Sequence, residues 1–435
     1  MEEEIKSNNI VEGLHYDDAN EAHNNSGGIE ISVARSVLPD NFSYTKYIIQ
    51  SPLFSGDLER RYSDFFSLRE KLLRNYPGVY IPSIPPKVYI NNKSVQTISQ
   101  RQRVLNNFCL EISRIPILME SQEFHEFFSP WQIKDSVGAK IKALPDLGYD
   151  VILLNYRKYF NVQALEHNDY NDDDNNNNIE ENEKKILTIV DLARYLKQIN
   201  DLLKIITKSK EKISEIVENE LNQIKIESRI FHYMTEYEKK ILIENINKDT
   251  NKLVFYNMNN AALSTKAINY TKEMTSPNKI LLEFLEDKEL DLFSMREMIN
   301  GYVDLLHKKN TFANEIDKLN TKLKKNQRGG RDFIDIITFK KPEVILVETE
   351  KKLQQTNKDI NNITQILVLL SQKVKDMMDE CIEVVKISFY DMLRTYLADG
   401  MVSFRKKKDF WDEAKSVNTV VVDQDDNLNK EELII

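Results

Sequence analysis

Apolar and polar positions change rhythm along this chain. From Ile29 they alternate: Ile29-Glu30-Ile31-Ser32-Val33-Ala34 and Tyr44-Thr45-Lys46-Tyr47-Ile48-Ile49 read as strands. The segment from Phe54 to Tyr62 supplies a turn and a third strand. At Ser63 the period becomes helical. Phe65, Phe66, Leu68, Leu72 and Leu73 gather on one side, and Ser63 or Asp64 is the expected cap. Pro77-Gly78 ends this helix, and the prolines from Pro82 to Pro86 exclude both helix and central strand. Helical patterns return over Ser99–Ser113 and Gln122–Phe128. Residues 29–130 therefore predict a compact α+β domain, a three-stranded sheet covered by helices.

Residues 131–166 read as a linker. Trp131, Ile133, Val137, Ile141 and Leu144 recur at helical spacing among Lys134, Lys140 and Lys142, and Val151–Phe160 adds Arg157 and Lys158. Such a basic amphipathic segment lies on a membrane surface or packs against a neighbouring domain, and the pattern leaves both open. Residues 167–183 form an Asn/Asp-rich insertion of low complexity.

Residues 184–417 carry three helical stripes. One runs through Ile189, Leu192, Leu196, Ile199, Leu203, Ile206, Ile213, Val217, Leu221 and Ile224. A second runs from Leu292 and Met295 through Ile299, Tyr302 and Leu306 to Phe312, Ile316, Leu319 and Leu323. The third passes through Leu353, Ile360, Ile363, Leu367, Leu370, Val374, Met377 and Cys381. Heptad-like stripes predict long antiparallel helices, each of fifty or so residues and about 75 Å at 1.5 Å per residue. Gly329-Gly330 and Pro342 bracket the break between the second and third. A bundle of this kind commonly completes its core by dimerising. Residues 1–28 and 418–435 read as acidic, disordered tails, the latter ending in Leu433-Ile434-Ile435 as a short docking motif.

Composition narrows the function. The chain has 435 residues and a formal net charge of −9, which argues against non-specific nucleic-acid binding. No apolar run reaches the roughly eighteen residues of a membrane span, and Met1-Glu2-Glu3-Glu4 is unlike a signal peptide. Cys109 and Cys381 lie in apolar helical patterns and read as buried thiols of a cytosolic protein. The six histidines have no metal-ligand spacing, and neither a Cys-x5-Arg loop nor a P-loop is present. No enzyme activity, cofactor or metal is expected.

The residues that do carry chemistry are Arg60-Arg61-Tyr62-Ser63-Asp64-Phe65 and the proline turn ending in Lys87. Guanidinium forks match phosphate oxygens and an aromatic face supports a ring, so these segments point to a phosphorylated ring as ligand. Alternation sends Arg60 to the face opposite Arg61, and Arg60 and Arg103 are both expected at solvated surface positions.

With Arg101-Gln102-Arg103-Val104-Leu105-Asn106-Asn107-Phe108 added, the order and spacing resemble a phox-homology (PX) domain. Followed by three long helices ending near Phe410-Trp411-Asp412-Glu413, the chain as a whole resembles the sorting nexins with a C-terminal membrane-curving BAR domain. The fold class implied is multidomain: an α+β PX domain, then an all-α BAR-type antiparallel bundle over 184–417. The resemblance implies phosphatidylinositol 3-phosphate as ligand. Arg61 would hold the 3-phosphate, Tyr62 the ring, Lys87 the 1-phosphate and Arg101 the far hydroxyls. Val88, Tyr89 and Ile90 would dip into the bilayer, with an ordinary core strand as the rival reading. Lys322, Lys324, Lys325, Arg328 and Arg331, with Lys318, Lys340 and Lys341, would sit at a basic arm tip facing acidic lipid. Lys204, Lys208, Lys210 and Lys212 would line a concave surface. The implied function is endosomal sorting and recycling of membrane cargo with a link to autophagy, carried out peripherally on early or other endosomes. The partners would be a homo- or heterodimeric BAR-domain nexin and cargo or coat proteins. The alternative is a PX-targeted coiled-coil scaffold or tether that does not remodel membranes.

Overall fold

The computed structural model describes residues 32–37, 45–50, 57–87, 95–130, 137–160, 184–246, 276–328 and 342–431. Val88, Tyr89, Ile90, Arg331, Lys340, Lys341, the 1–28 tail, the 167–183 insertion and Leu433–Ile435 lie outside them. The chain divides into two units, residues 1–202 with 290–383 and residues 203–289 with 384–435.

The first unit opens with an antiparallel sheet in the order β1 (Ser32–Val37), β2 (Lys46–Gln50), β3 (Leu58–Arg61). Tyr47 stands opposite Arg60 and Ile49 opposite Leu58, so these four share a face, while Lys46 and Arg61 share the other. The strand runs directly into α1 (Tyr62–Asn75). Sequence expected a cap at Ser63 or Asp64, but the helix starts earlier. Asp64 stands in its first turn and accepts the Arg61 backbone N–H at 3.0 Å. A carboxylate there satisfies an orphan donor and complements the helix dipole.

Helices α2 (Val95–Arg114), α3 (Pro116–Met119) and α4 (Gln122–Phe127) complete the cover. Tyr47, Phe65, Phe108, Phe124 and Phe127 are fully or almost fully buried, and Phe65 meets Tyr47, Phe108 and Phe127 edge to face. Cys109 is buried among them, and burial pushes its thiol pKa far up. Ser121 caps α4 by accepting the Phe124 N–H at 3.1 Å.

In the linker, α5 (Val137–Ala143) and α6 (Tyr149–Tyr159) bury Ile141, Ile152, Leu153 and Tyr156 within this unit. Val151 and Leu154 remain exposed. Lys71 is buried beneath the linker, donating to the Leu144 carbonyl at 2.5 Å and to Asp146 at 2.6 Å. The stem of the lysine packs while its ammonium keeps two hydrogen-bond acceptors, one of them charged.

Three long helices follow: α7 (Ile189–Ile246), α8 (Pro277–Gln327) and α9 (Pro342–Glu431). α8 and α9 each begin on a proline, whose fixed φ suits the first helical position. α9 continues through residues 418–431, which sequence had set apart as a tail. Leu192, Tyr195, Ile199, Met295, Ile299, Tyr302, Ile363, Leu367 and Leu370 are buried in the first unit. The Tyr302 hydroxyl lies 2.7 Å from Ser371 Oγ and accepts the Leu187 N–H at 3.1 Å.

The turn after α1 sits against α8 and α9. Gly78 has φ +82°, a conformation suited to glycine, and a Cβ there would meet Leu370 Cδ1 at 2.7 Å. A Cβ on Gly301 would stand 2.7 Å from the Gly78 amide nitrogen and 3.3 Å from Pro77 Cα. Tyr156 donates to the Pro77 carbonyl at 2.8 Å and fixes the turn from its other side. Gly301→Ala is therefore expected to destabilise the chain by about 2 kcal/mol, because the atom it strikes is pinned backbone. A urea midpoint equal to wild type would mean that the turn moves aside freely.

In the second unit, Val217, Leu281, Leu285 and Val385 are buried, and Phe284 faces Phe389 at 6.3 Å between ring centres. Asn278 bridges Glu220 and the Tyr396 hydroxyl. The expected stripe of α7 is only partly covered. Ile189 at its start and Leu221 beyond Val217 are exposed, as are Ile226, Ile230, Tyr233 and Tyr237.

Candidate functional site

The end of β3 splits two adjacent arginines between opposite faces of the sheet. Alternation was the right expectation, but a solvated position for Arg60 was not, since its face is the one covered by helices. Arg60 is 5% exposed. Its Nε donates to the Phe127 carbonyl at 2.8 Å, Nη2 to Phe127 O at 2.6 Å and Ser129 O at 2.7 Å, and Nη1 to Glu59 O at 2.8 Å. The guanidinium also lies 5.5 Å from the centre of the Phe127 ring. Burial lowers its pKa, and Asp64 and Glu126 push the other way. Arg60 thus binds the orphan carbonyls at the end of α4 and takes no part in a ligand site.

Arg61, on the other face, is half-buried at the mouth of α1. Its Nε reaches Asp64 Oδ1 at 3.3 Å. The buried Asp64 also accepts the Gly138 N–H at 3.1 Å, so α5 helps to hold the carboxylate that orients Arg61.

Tyr62, Phe66 and Arg69 follow at spacings of four and three, which places them on one stripe of α1. That stripe binds the proline loop residue by residue. The Tyr62 hydroxyl donates to the Pro85 carbonyl. Lys87 Nζ stands 3.5 Å above the centre of the Phe66 ring. Arg69 donates from Nε to Pro82 O at 2.7 Å and from Nη2 to Ser83 Oγ at 3.1 Å. Lys87 is exposed, so its ammonium is steered by the ring and remains open to solvent.

Arg101 comes from α2, where Ile98, Leu105, Phe108 and Ile112 form the buried stripe that it shares. A cation on the core side of an amphipathic helix calls for a reason. It is 7% exposed, its guanidinium lies 4.3 Å from the centre of the Tyr62 ring, and its Nε has no hydrogen-bond partner. The buried Tyr47 hydroxyl likewise makes no hydrogen bond of good geometry. Burial pushes the Tyr47 pKa above that of free tyrosine, and the nearby Arg101 charge offsets part of the rise.

Arg61, Tyr62, Lys87 and Arg101, the four residues singled out from sequence, are thus gathered at the first two turns of α1. Sequence reasoning missed Asp64 as the carboxylate that orients Arg61, Phe66 as the platform for Lys87, and Arg69 as the clamp on the loop. The stripe Tyr62, Phe66, Arg69 is the available signal, but Phe66 fits the apolar side of the helix equally well.

Of the basic positions on the long helices, Lys324, Lys325 and Arg328 are exposed and, with Thr321, line an open depression of about 390 Å³. Lys322 is partly covered. Lys210 is tied to Glu289, which also accepts from Thr207 at 2.8 Å, and Lys212 pairs with Glu215 at 3.1 Å. Among the described residues, no group of three or more His, Cys, Asp or Glu could hold a metal ion, and no helix is long and apolar enough to cross a membrane.

Residues 51–130 match the family model described as PX domain. Sorting nexin-4 of Mus musculus is 29% identical over 143 residues, covering 26% of this chain and 32% of that protein. Sorting nexin-4 of Eremothecium gossypii is 32% identical over 105 residues, 20% of this chain and 26% of that one. Sorting nexin-8 of Homo sapiens is 30% identical over 86 residues, 20% and 18% of the two chains. The match thus spans about a third or less of each relative's length. Among solved structures, that titled "The cryo-EM structure of the SNX-BAR Mvp1 tetramer" aligns with a TM-score of 0.42 at 15% identity, over 87% of this chain and 99% of that one.

Proposed function

We propose that this chain, whose residues 51–130 match a PX domain, is a sorting nexin, a peripheral membrane protein whose pocket takes the headgroup of phosphatidylinositol 3-phosphate. The observation that carries the reading is Arg101: a buried guanidinium, stacked over Tyr62, with an unpartnered Nε. A buried unpaired donor is destabilising by itself and becomes favourable when an anionic oxygen arrives. Arg61, oriented by Asp64, takes the 3-phosphate, Lys87 the 1-phosphate, and Tyr62 supports the ring. Val88, Tyr89 and Ile90, directly after Lys87, enter the bilayer beside it. Such a site binds; it does not catalyse.

The long helices add a second element. In the second unit, Ile226, Ile230, Tyr233 and Tyr237 of α7 are exposed, as are Tyr390, Leu397, Met401 and Phe404 of α9. Apolar surface on this scale calls for a partner, here a second copy or another chain with a matching helical region. A dimer presents two pockets to one membrane, with Lys322, Lys324, Lys325, Arg328 and Arg331 adding attraction for acidic lipid, and two-site attachment raises apparent affinity by roughly 10²–10⁴. The helical region then works as a BAR domain that senses or induces curvature, on endosomes, in sorting and recycling of cargo and in autophagy.

Arg61→Ala is expected to remove flotation with liposomes carrying phosphatidylinositol 3-phosphate. Flotation equal to wild type would refute the pocket. Electron microscopy of the same liposomes tests the helices: tubules support curvature generation, and clustered round vesicles support a tether.

A further inference from the structure

The proline loop that carries Lys87 is held on two sides, and the second side belongs to the helical region. Ser294 Oγ of α8 lies 2.8 Å from Ser83 Oγ and also donates to the Leu290 carbonyl at 3.0 Å. Three residues on, the Glu297 carboxylate grips Arg69 with both oxygens, Oε1 at 3.3 Å from Nη1 and Oε2 against Nη2. Ser294 and Glu297 share a face of α8, and both partners touch the same stretch of loop, since Arg69 itself binds Pro82 O and Ser83 Oγ. Ser294 is buried and the Arg69 guanidinium nearly so.

The loop is stiff. Prolines at 82, 85 and 86 fix φ at three of its six positions, so a displacement at Ser83 is passed on to the Pro85 carbonyl that orients Tyr62 and to Lys87. Charge-assisted bidentate contact is also the least forgiving kind of anchor. We propose that Ser294 and Glu297 are positioning residues for the headgroup pocket, so that the long helix α8 sets how tightly the PX domain binds its ligand. This rests on the pocket reading above. By linkage the reverse also holds: a bound headgroup tightens the contact of the loop with α8.

The test uses the whole chain and inositol 1,3-bisphosphate as a soluble probe, titrated by calorimetry below the melting range of every variant. Ser294→Ala/Glu297→Gln together are expected to weaken binding about tenfold, within the usual range of coupling between sites. Amide exchange at Ser83, Ile84 and Lys87 should quicken in that variant, a local change that general destabilisation would not confine to the loop. Asp304→Asn removes the same charge from an exposed position on α8 and is expected to bind as wild type. Glu297→Asp, which keeps the carboxylate, should restore part of the affinity. Equal affinity in the double variant and wild type overturns the positioning role alone. Absence of binding by wild type overturns the pocket and the positioning role with it.

Discussion

Arg101→Met is expected to weaken headgroup binding severely and to leave the fold as stable as before, or more so. The guanidinium is buried on the core stripe of α2 beside Leu105 and Phe108, with Nε unpartnered. Methionine fills similar space without a charge to desolvate, and replacing a poorly satisfied buried cation by an apolar side chain is commonly neutral or stabilising. The cation–π contact with Tyr62 is lost, a term of about 1 kcal/mol that the relief of desolvation offsets. Binding loses charge-assisted hydrogen bonds of about 1.5–3 kcal/mol each, so affinity for the soluble headgroup should fall about a hundredfold. Calorimetric titration and thermal melting of one preparation check both halves. A melting temperature that falls together with affinity would make Arg101 a structural residue.

Arg60→Met should do the opposite. The substitution is the same and the burial is similar, but each of the three guanidinium nitrogens of Arg60 donates to a carbonyl, chiefly those of Phe127 and Ser129. Methionine leaves the buried Phe127 carbonyl and the half-buried Ser129 carbonyl without these donors, each costing about 1–3 kcal/mol, and a loss near 3 kcal/mol in unfolding free energy is expected. Headgroup affinity of the folded protein should be little changed, because Arg60 faces away from Arg61 across the strand. Urea unfolding with the denaturant slope held constant measures the first claim, and titration well below the midpoint measures the second. An unfolding midpoint equal to wild type would mean that water satisfies the carbonyls and that Arg60 is not the anchor of α4.

These two arginines also mark where sequence reasoning stops. Period-two alternation separates Arg60 from Arg61 but does not say which face the helices cover. Only the packing of Phe127 and Phe65 decides that. The spacing of Arg61-Tyr62, Lys87 and Arg101 was legible because each belongs to a short local pattern, and the proline loop reveals itself by composition. The start of α9 at Pro342 was legible for the same reason, since a proline suits the first helical position whatever lies nearby. The contact of Ser83 with Ser294 joins positions 211 apart in the chain, and nothing in either neighbourhood announces it. Asp64 read as a cap because its helical role is local, whereas its hold on the Gly138 N–H depends on where the linker returns. The stripe of α7 is apolar as expected, but apolar periodicity does not distinguish a face that this chain covers from one that it leaves exposed.

The meeting of Gly78 with Gly301 limits how freely this protein can be recombined or diversify. Neither position tolerates a methyl group without moving backbone or Leu370 of α9. Substitutions on the two sides of the joint therefore cannot accumulate independently. A chimera that grafts this PX domain onto a foreign helical region needs a glycine-sized notch where Gly301 stands. Without it the graft would leave each part intact and the seam open. Domains that exchange readily between proteins are joined by slack linkers; this pair is joined by a fitted surface, and its halves should be inherited, and engineered, as one piece.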